Sequence, residues 1–433
     1  MQTSLLVTMV TVLSVAGAAG AQDPSRPQTG PQGTVSVLDF GAAGNGTKDD
    51  TAAIQRAIDK AAEKGGVVYL PPGRYRVGGY LKVAAGVIVK GALEAPQAIA
   101  PLKGSVILAT GGRDDESAPP LFHLGHSSAV MGLTVWYPDQ KPTDIHAYPW
   151  TFQLEGYDNT VENVTLINSY NGIRTGPANN VRHRIRSVYG CVLRRGIYVD
   201  HCSDIGRVEN CQLHCHWWSS PETGGDRALV YKYMIEHLEA FIFARTDWEY
   251  ATNNFVFPAK IGWRFIKSEH GMCNGHFTAC GADACETAVR VDAIQPMGLL
   301  ITAGQFVAFT GDNPVQVRIS ETCRGSVRFV NCAFWGRVKH NAVLRGKGFT
   351  SFSDCYFTNN NRNLPDSPLI VAQAGRLQIG NSTFDASHPA VQLGPGIKHA
   401  IIEGNNGRNG VRVIDQSGGK AIIVNNEPAA RQQ

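Results

Sequence analysis

The chain has 433 residues, 43% of them hydrophobic and 18% charged, a composition that excludes a largely disordered chain. Its 40 Lys and Arg against 36 Asp and Glu leave a net charge of +4, too near balance to mark a nucleic-acid partner. Length alone would allow two or three ordinary domains, so the organisation has to come from pattern.

Leu5 to Ala16 is an apolar run broken only by Thr and Ser, and Ala19-Gly20-Ala21 puts small residues where a signal peptidase reads. The run is short for a membrane span, so residues 1–21 are expected to be a cleaved signal, although no Lys or Arg precedes it. That implies a secreted or periplasmic protein, without a membrane partner once the signal is removed. Export would permit disulfides among the ten Cys. Residues 22–33, rich in Pro, Gln and Gly, read as a flexible leader.

Val35 to Leu38 reads as a strand. Asp49-Asp50-Thr51 then offers caps for a helix at about 50–64: Ile54, Ala57, Ile58, Ala61 and Ala62 fall at helical spacing, and Gly65-Gly66 stops it. Val67-Val68-Tyr69-Leu70 is the next strand, closed by Pro71-Pro72-Gly73.

Farther on, one punctuation recurs. It is Asn163-Val164-Thr165-Leu166, Ser187-Val188-Tyr189 and Asn210-Cys211-Gln212-Leu213, at steps of 24 (163 to 187) and 23 (187 to 210). It returns at Asn331, Asp354 and Asn381, at steps of 23 (331 to 354) and 27 (354 to 381). A period of this size marks stacked copies of one small unit. No single copy can bury its apolar face, so neighbours must make the core continuous. The expectation is an all-β parallel solenoid over residues 34–424, one coil per repeat. The helix would lie over its open N-terminal end, covering unpaired backbone and apolar core. Two aromatic-rich stretches, 136–150 and 217–258, break the period and read as loop insertions; 425–433 reads as a polar tail. Cys211, Cys332 and Cys355 share one register and could be stacked thiols or bridges. Cys211 and Cys215 with His214 and His216 lack the second Cys pair a zinc site would need.

The opening, Val37-Leu38-Asp39-Phe40-Gly41-Ala42, Asn45-Gly46-Thr47-Lys48-Asp49-Asp50-Thr51, Ala53-Ile54 and Val67 to Gly73, resembles that of the pectate-lyase superfamily. More narrowly it is similar to the rhamnogalacturonase/epimerase-like group related to polygalacturonases. The motif covers roughly residues 35–80, and the coil pattern extends the likeness to about 415. The resemblance implies a single-stranded right-handed parallel β-helix acting on polysaccharide. It speaks to fold more than to chemistry, because phage tailspikes share it.

The polygalacturonase pattern places acids before a Gly-containing strand on successive coils. The equivalent stripe here is Tyr170-Asn171-Gly172-Ile173, Arg194-Arg195-Gly196-Ile197, Lys260-Ile261-Gly262-Trp263 and Cys285-Glu286-Thr287-Ala288. If these coils align, Asn171, Arg195, Lys260 and Glu286 share one face. Asn and Arg stand where the family has carboxylates, so its catalytic acids do not carry over. A basic stripe suits a different task. Arg binds a uronate carboxylate bidentately, and a Lys beside another cation has a lowered pKa and can act as a base. Arg195, Lys260, Glu286 and Asp247 are the catalytic candidates. Asn171, Arg174, Arg194, Asp200, Trp217, Trp218 and Trp248 are the substrate-binding candidates, the aromatic faces stacking on sugar rings. Asp200, Asp247 and Glu286 offer oxygen ligands for Ca²⁺ if the reaction is an elimination; no cofactor is otherwise expected. Three readings stay open: β-elimination on an acidic, pectin-like polysaccharide, hydrolysis by a carboxylate pair, or glycan binding without catalysis, by a monomer.

Overall fold

The computed structural model describes residues 33–93, 102–359, 364 and 366–428. The signal at 1–21, all but the last residue of the leader, and the end of the polar tail lie outside the described residues.

The strands pair in parallel ladders, and each turn of the chain adds one strand to each of three sheets. The first sheet starts at Thr34–Ser36 and ends at Ala421–Val424. The second takes up Gly73–Val77 and Ser105–Ala109. The third runs from Leu81–Val83 through Phe122–Leu124 to Val413–Asp415. The expected solenoid is therefore present, with one coil per repeat.

The recurring Asn marks the corner between the first and second sheets. Asn163, Ser187, Asn210, Asn253, Asn331, Asp354 and Asn381 all have φ between 50° and 55°. Only Gly enters this left-handed region freely, and Asn and Asp tolerate it best among the rest. The next position is buried and often a thiol or amide: Cys211, Asn254, Cys280, Cys332, Cys355. Amides there bond the neighbouring coil, Asn254 Oδ1 accepting from Cys211 N at 2.9 Å. All ten Cys are buried and unbridged, which fits the stacked-thiol alternative.

Inside, alternation along each strand sends every second side chain to the axis. Aromatics then stack on the rung above: Phe241 on Trp263 at 4.4 Å, Phe334 on Phe357 at 4.9 Å and Phe357 on Phe384 at 5.1 Å. These separations match the spacing of about 4.8 Å between neighbouring strands, so ring stacking and strand pairing reinforce each other.

The helix α1, Thr51–Ala62, forms as the spacing predicts and buries Ala53, Ile54, Ala57, Ile58 and Ala61 against the first coils. The first insertion is an irregular loop after Trp136, held down by Tyr137 and Tyr148, whose rings lie 4.7 Å apart in the core.

The second insertion is shorter than 217–258. It leaves the coil at Cys215–Trp218, forms α2 (Arg227–His237) and ends there. Glu239–Phe243, Thr246–Thr252 and Phe255–Phe257 are an ordinary coil, one strand in each sheet. The helical pattern running into this coil hid its first strand.

Candidate functional site

The outer surface of the third sheet gathers the chemistry. Strand register stacks Lys82, His123, Gln153, Arg174, Tyr198, Ile242, Arg264, Arg290 and Arg318 in one outward column. The cause is local: in Gly196-Ile197-Tyr198-Val199-Asp200, Ile197 and Val199 fill the core, so Tyr198 between them faces outward.

Around Tyr198 the groups converge. Its hydroxyl donates to Asp200 Oδ2 at 3.2 Å, and burial, with the Asp200 charge behind it, pushes the phenol pKa well above its ordinary value. Tyr198 is therefore a neutral proton donor. The other Asp200 oxygen accepts from His201 N (2.8 Å), Arg245 N (3.0 Å) and Ser268 Oγ (2.8 Å), bonds that fix the orientation of the group. His201 stacks on His270 at 3.8 Å, and its Nδ1 meets the Pro177 carbonyl at 2.6 Å. A carbonyl only accepts, so Nδ1 carries a proton and donates it to Pro177, which fixes the orientation of the ring. Arg174 and Arg195 lie over the Trp150 ring at 5.9 and 5.4 Å. Arg174 is oriented by Gln153 Oε1, 2.7 Å from its Nε; Arg195 pairs with Glu116.

Most carboxylates of this face already have a side-chain partner. Glu155 meets His123 at 2.9 Å and Glu239 meets Arg264 at 2.5 Å. Asp292 lies between Arg264 (3.4 Å) and Arg290 (3.1 Å). Farther along, Arg318 opens into a groove of about 650 Å³ lined by Glu286, Arg337, Lys339, His340 and Arg345.

Several expected residues sit elsewhere. Asn171 aligns with Arg195 but is fully buried, its amide donating to the Tyr148 carbonyl (2.9 Å) and to Glu116 (3.0 Å); it braces the rung and does not face substrate. Arg195 aligns next with Glu239 and then with Ile261 and Thr287. Lys260 and Glu286 are thus one residue out of the Arg195 column, and in a strand one residue reverses the face. The stripe fails because the overlong insertion concealed the coil that contributes Glu239. Arg194, adjacent to Arg195, projects to the other side, where its charge and that of Lys260 act on His237 at the end of α2. Glu286 belongs to the distant groove. Trp217 and Trp218 are 9% and 0% exposed, packed under the insertion, with Trp218 Nε1 donating to Thr223 O at 3.0 Å; they do not stack on a ligand. Trp248, at 57% exposure, is open to one.

The three proposed Ca²⁺ ligands do not form one site. Asp200 is saturated by N–H and O–H donors, Asp247 is paired with Arg245 at 2.5 Å, and Glu286 lines the other groove. Of the expected residues, Arg174 and Asp200 do come together, both beside Tyr198 on the third sheet. Tyr198, His201, Trp150 and Glu239 were missed. Strict alternation around Tyr198 was the one available signal; the others are brought in by coil stacking.

Residues 34–108 match the family model described as rhamnogalacturonase A/epimerase, pectate lyase-like. The chain is 67% identical over 45 residues to mannuronan C5-epimerase AlgE5 of Azotobacter vinelandii, a match covering 10% of this chain and 4% of that protein. It is 53% identical over 55 residues to alginate lyase 7 of the same organism, covering 12% and 6%. In structure it resembles the A-module of A. vinelandii mannuronan C-5 epimerase AlgE6, with a TM-score of 0.52 at 16% identity over 90% of this chain and 96% of that one. The curated relatives are matched over a small fraction of their length, and the structural likeness establishes shared architecture. Residues 34–108 are thus similar to the rhamnogalacturonase A/epimerase, pectate lyase-like family, and the chain as a whole shares the parallel β-helix architecture of the epimerase A-module.

Proposed function

We propose that this protein modifies an acidic, uronate-containing polysaccharide by removing the proton at C5 of a uronate unit, the carbon next to the carboxyl group. The carrying observation is the outward cluster of Arg174 and Tyr198 beside Trp150, with Asp200 bonded to the Tyr198 hydroxyl and to the His201 N–H. Removing that proton pushes charge onto the carboxylate, and an Arg fork stabilises it there. The neutral Tyr198 phenol is suited to deliver a proton, and His201, next to Asp200, is the candidate partner for taking one. Removal on one face and return on the other inverts C5. Arg264, Arg290 and Arg318 stand on successive rungs, and Arg318 at the end of the row is the one that opens into the groove and can meet a further carboxylate. The short matches to mannuronan epimerases support the reading.

β-Elimination is the second reading. It shares the first step, and the match to alginate lyase 7 favours it. Hydrolysis has less support, since the cluster presents one fixed carboxylate where a flanking pair is needed. The reading carries with it export, argued from residues 1–21, and takes α1 as the cover of the solenoid's N-terminal end. Ca²⁺ dependence remains part of the elimination reading, with ligands other than the Asp200, Asp247 and Glu286 set.

The test is incubation with polymannuronate and polygalacturonate in D₂O. Deuterium at C5 without ultraviolet absorbance means epimerisation. Absorbance from unsaturated ends means elimination. New reducing ends with neither signal would overturn C5 chemistry, as would binding without any product.

A further inference from the structure

A second cluster lies behind the site, buried at the corner where the third sheet passes to the first. His183, Gly206 and Glu249 are stacked on three successive coils, each one residue before the paired Arg184, Arg207 and Tyr250. The middle rung is glycine, and a Cβ there would collide with both the His183 ring and the Glu249 carboxylate. Its missing side chain is the space in which the outer two rungs meet, His183 Nε2 to Glu249 Oε1 at 3.1 Å. Cys202, from the same coil as Gly206, completes a triad whose ligand atoms all lie within 4.8 Å of one another. All three side chains are fully buried. Among the described residues no other group of three His, Cys, Asp or Glu is this close.

The surroundings orient each group. His183 Nδ1 faces Asn180 Oδ1 at 3.2 Å, and the Asn180 amide is itself fixed, its Nδ2 donating to the Asp200 carbonyl at 2.8 Å. Nδ1 is thus the protonated nitrogen and Nε2 the one aimed at the triad. Glu249 Oε2 is taken by Thr246 Oγ1 at 2.8 Å, which leaves Oε1 facing inward. A ring N–H tied to a carbonyl and a carboxylate tied by a hydroxyl are the outer partners that orient metal ligands.

We propose that His183, Cys202 and Glu249 bind a divalent ion of the zinc class. One imidazole, one thiolate and one carboxylate suit zinc and exclude calcium or magnesium, which take oxygen ligands. The ion would be held by His183 Nε2, the Cys202 sulfur and Glu249 Oε1, and thiolate ligation releases the thiol proton. It ties together three coils directly behind Asp200 and His201. The inference does not depend on the reaction proposed above.

The experiment is elemental analysis and native mass spectrometry of the full chain after exposure to Zn²⁺ and removal of excess, with Co²⁺ as the optical probe. One ion per chain and a thiolate-to-cobalt charge-transfer band are expected. Cys202→Ser should lose that band while Cys280→Ser, a buried thiol of a different corner, keeps it. Substoichiometric metal in the folded wild-type protein, or a cobalt spectrum without the thiolate band, overturns the proposal whether or not the variants fold. Retention of the band by folded Cys202→Ser overturns it equally.

Discussion

Tyr198 shows how one side chain acquires a chemical role from its rung. Alternation sends it outward, burial against the column keeps its proton on, and Asp200 supplies an acceptor at 3.2 Å. If it transfers a proton, Tyr198→Phe should lower kcat by about 10²–10⁴-fold with KM nearly unchanged, because the hydroxyl acts in the transition state and the ring stays. Steady-state kinetics on the active polyuronate would check this, and an equal rise in KM would instead make the hydroxyl a binding group. His214 is a contrasting residue whose shift bears on stability. Burial, then the charges of His216 and Arg227, lower its pKa from near 6.5 to about 4. The unfolded chain takes up that proton as pH falls below about 6.5 and the folded chain does not until about 4. Stability is therefore full above that window and declines through it as acid is added. Urea midpoints at about pH 7 and about pH 5 should differ less in His214→Asn than in the parent.

At the scale of an element, the corner residue is the unit that repeats. Asn331 has φ of 50° and stands between Asn331-type corners on both neighbouring coils, Ala303 and Asp354. Asn331→Ala should cost up to about 1 kcal/mol, because both residues carry a β-carbon and only the better tolerance of Asn for this region is lost, whereas Asn331→Gly, which removes the β-carbon, should be neutral or slightly stabilising; thermal or urea unfolding of the pair would tell them apart. Ala279 and Ala303 already adopt this conformation, with φ of 52° and 54°, so the position demands a backbone shape and does not demand the Asn amide. Corners marked by Asn, Ser or Asp on a regular period are legible in the sequence, and those at Ala279 and Ala303 are not. Asn253 is hidden as well, because α2 and the aromatic residues before it mask the coil to which it belongs. Glu239 lies in that same coil, and the register of Lys260 and Glu286 depends on it.

Over the whole molecule, the stacking of coils turns scattered arginines into a line. Arg174, Arg264, Arg290 and Arg318 are far apart in sequence and share one column on the third sheet. A polyanion lying along that column would meet several cations at once, so its affinity should fall steeply as salt rises. The screening length shrinks from about 10 Å at 0.1 M to about 3 Å at 1 M salt. A neutral glucan of equal length should show little of this dependence. Titration calorimetry across ionic strength checks it, and a flat response would remove the arginine column from the binding surface.

What the sequence determined by itself is whatever depends on neighbours along the chain: the coil period, the left-handed corners, the apolar face of α1 and the opening motif of residues 34–108. These are set by local backbone sterics and by side-chain alternation, which a linear reading can follow. Only the tertiary structure decided which side chains stand above one another. Register from coil to coil depends on where each excursion returns to the stack. That return is fixed by packing between residues dozens of positions apart, as with Arg195 and Glu239 on either side of α2. A displacement of one residue there reverses inside and outside, which is why Lys260 and Glu286 fall out of the Arg195 column.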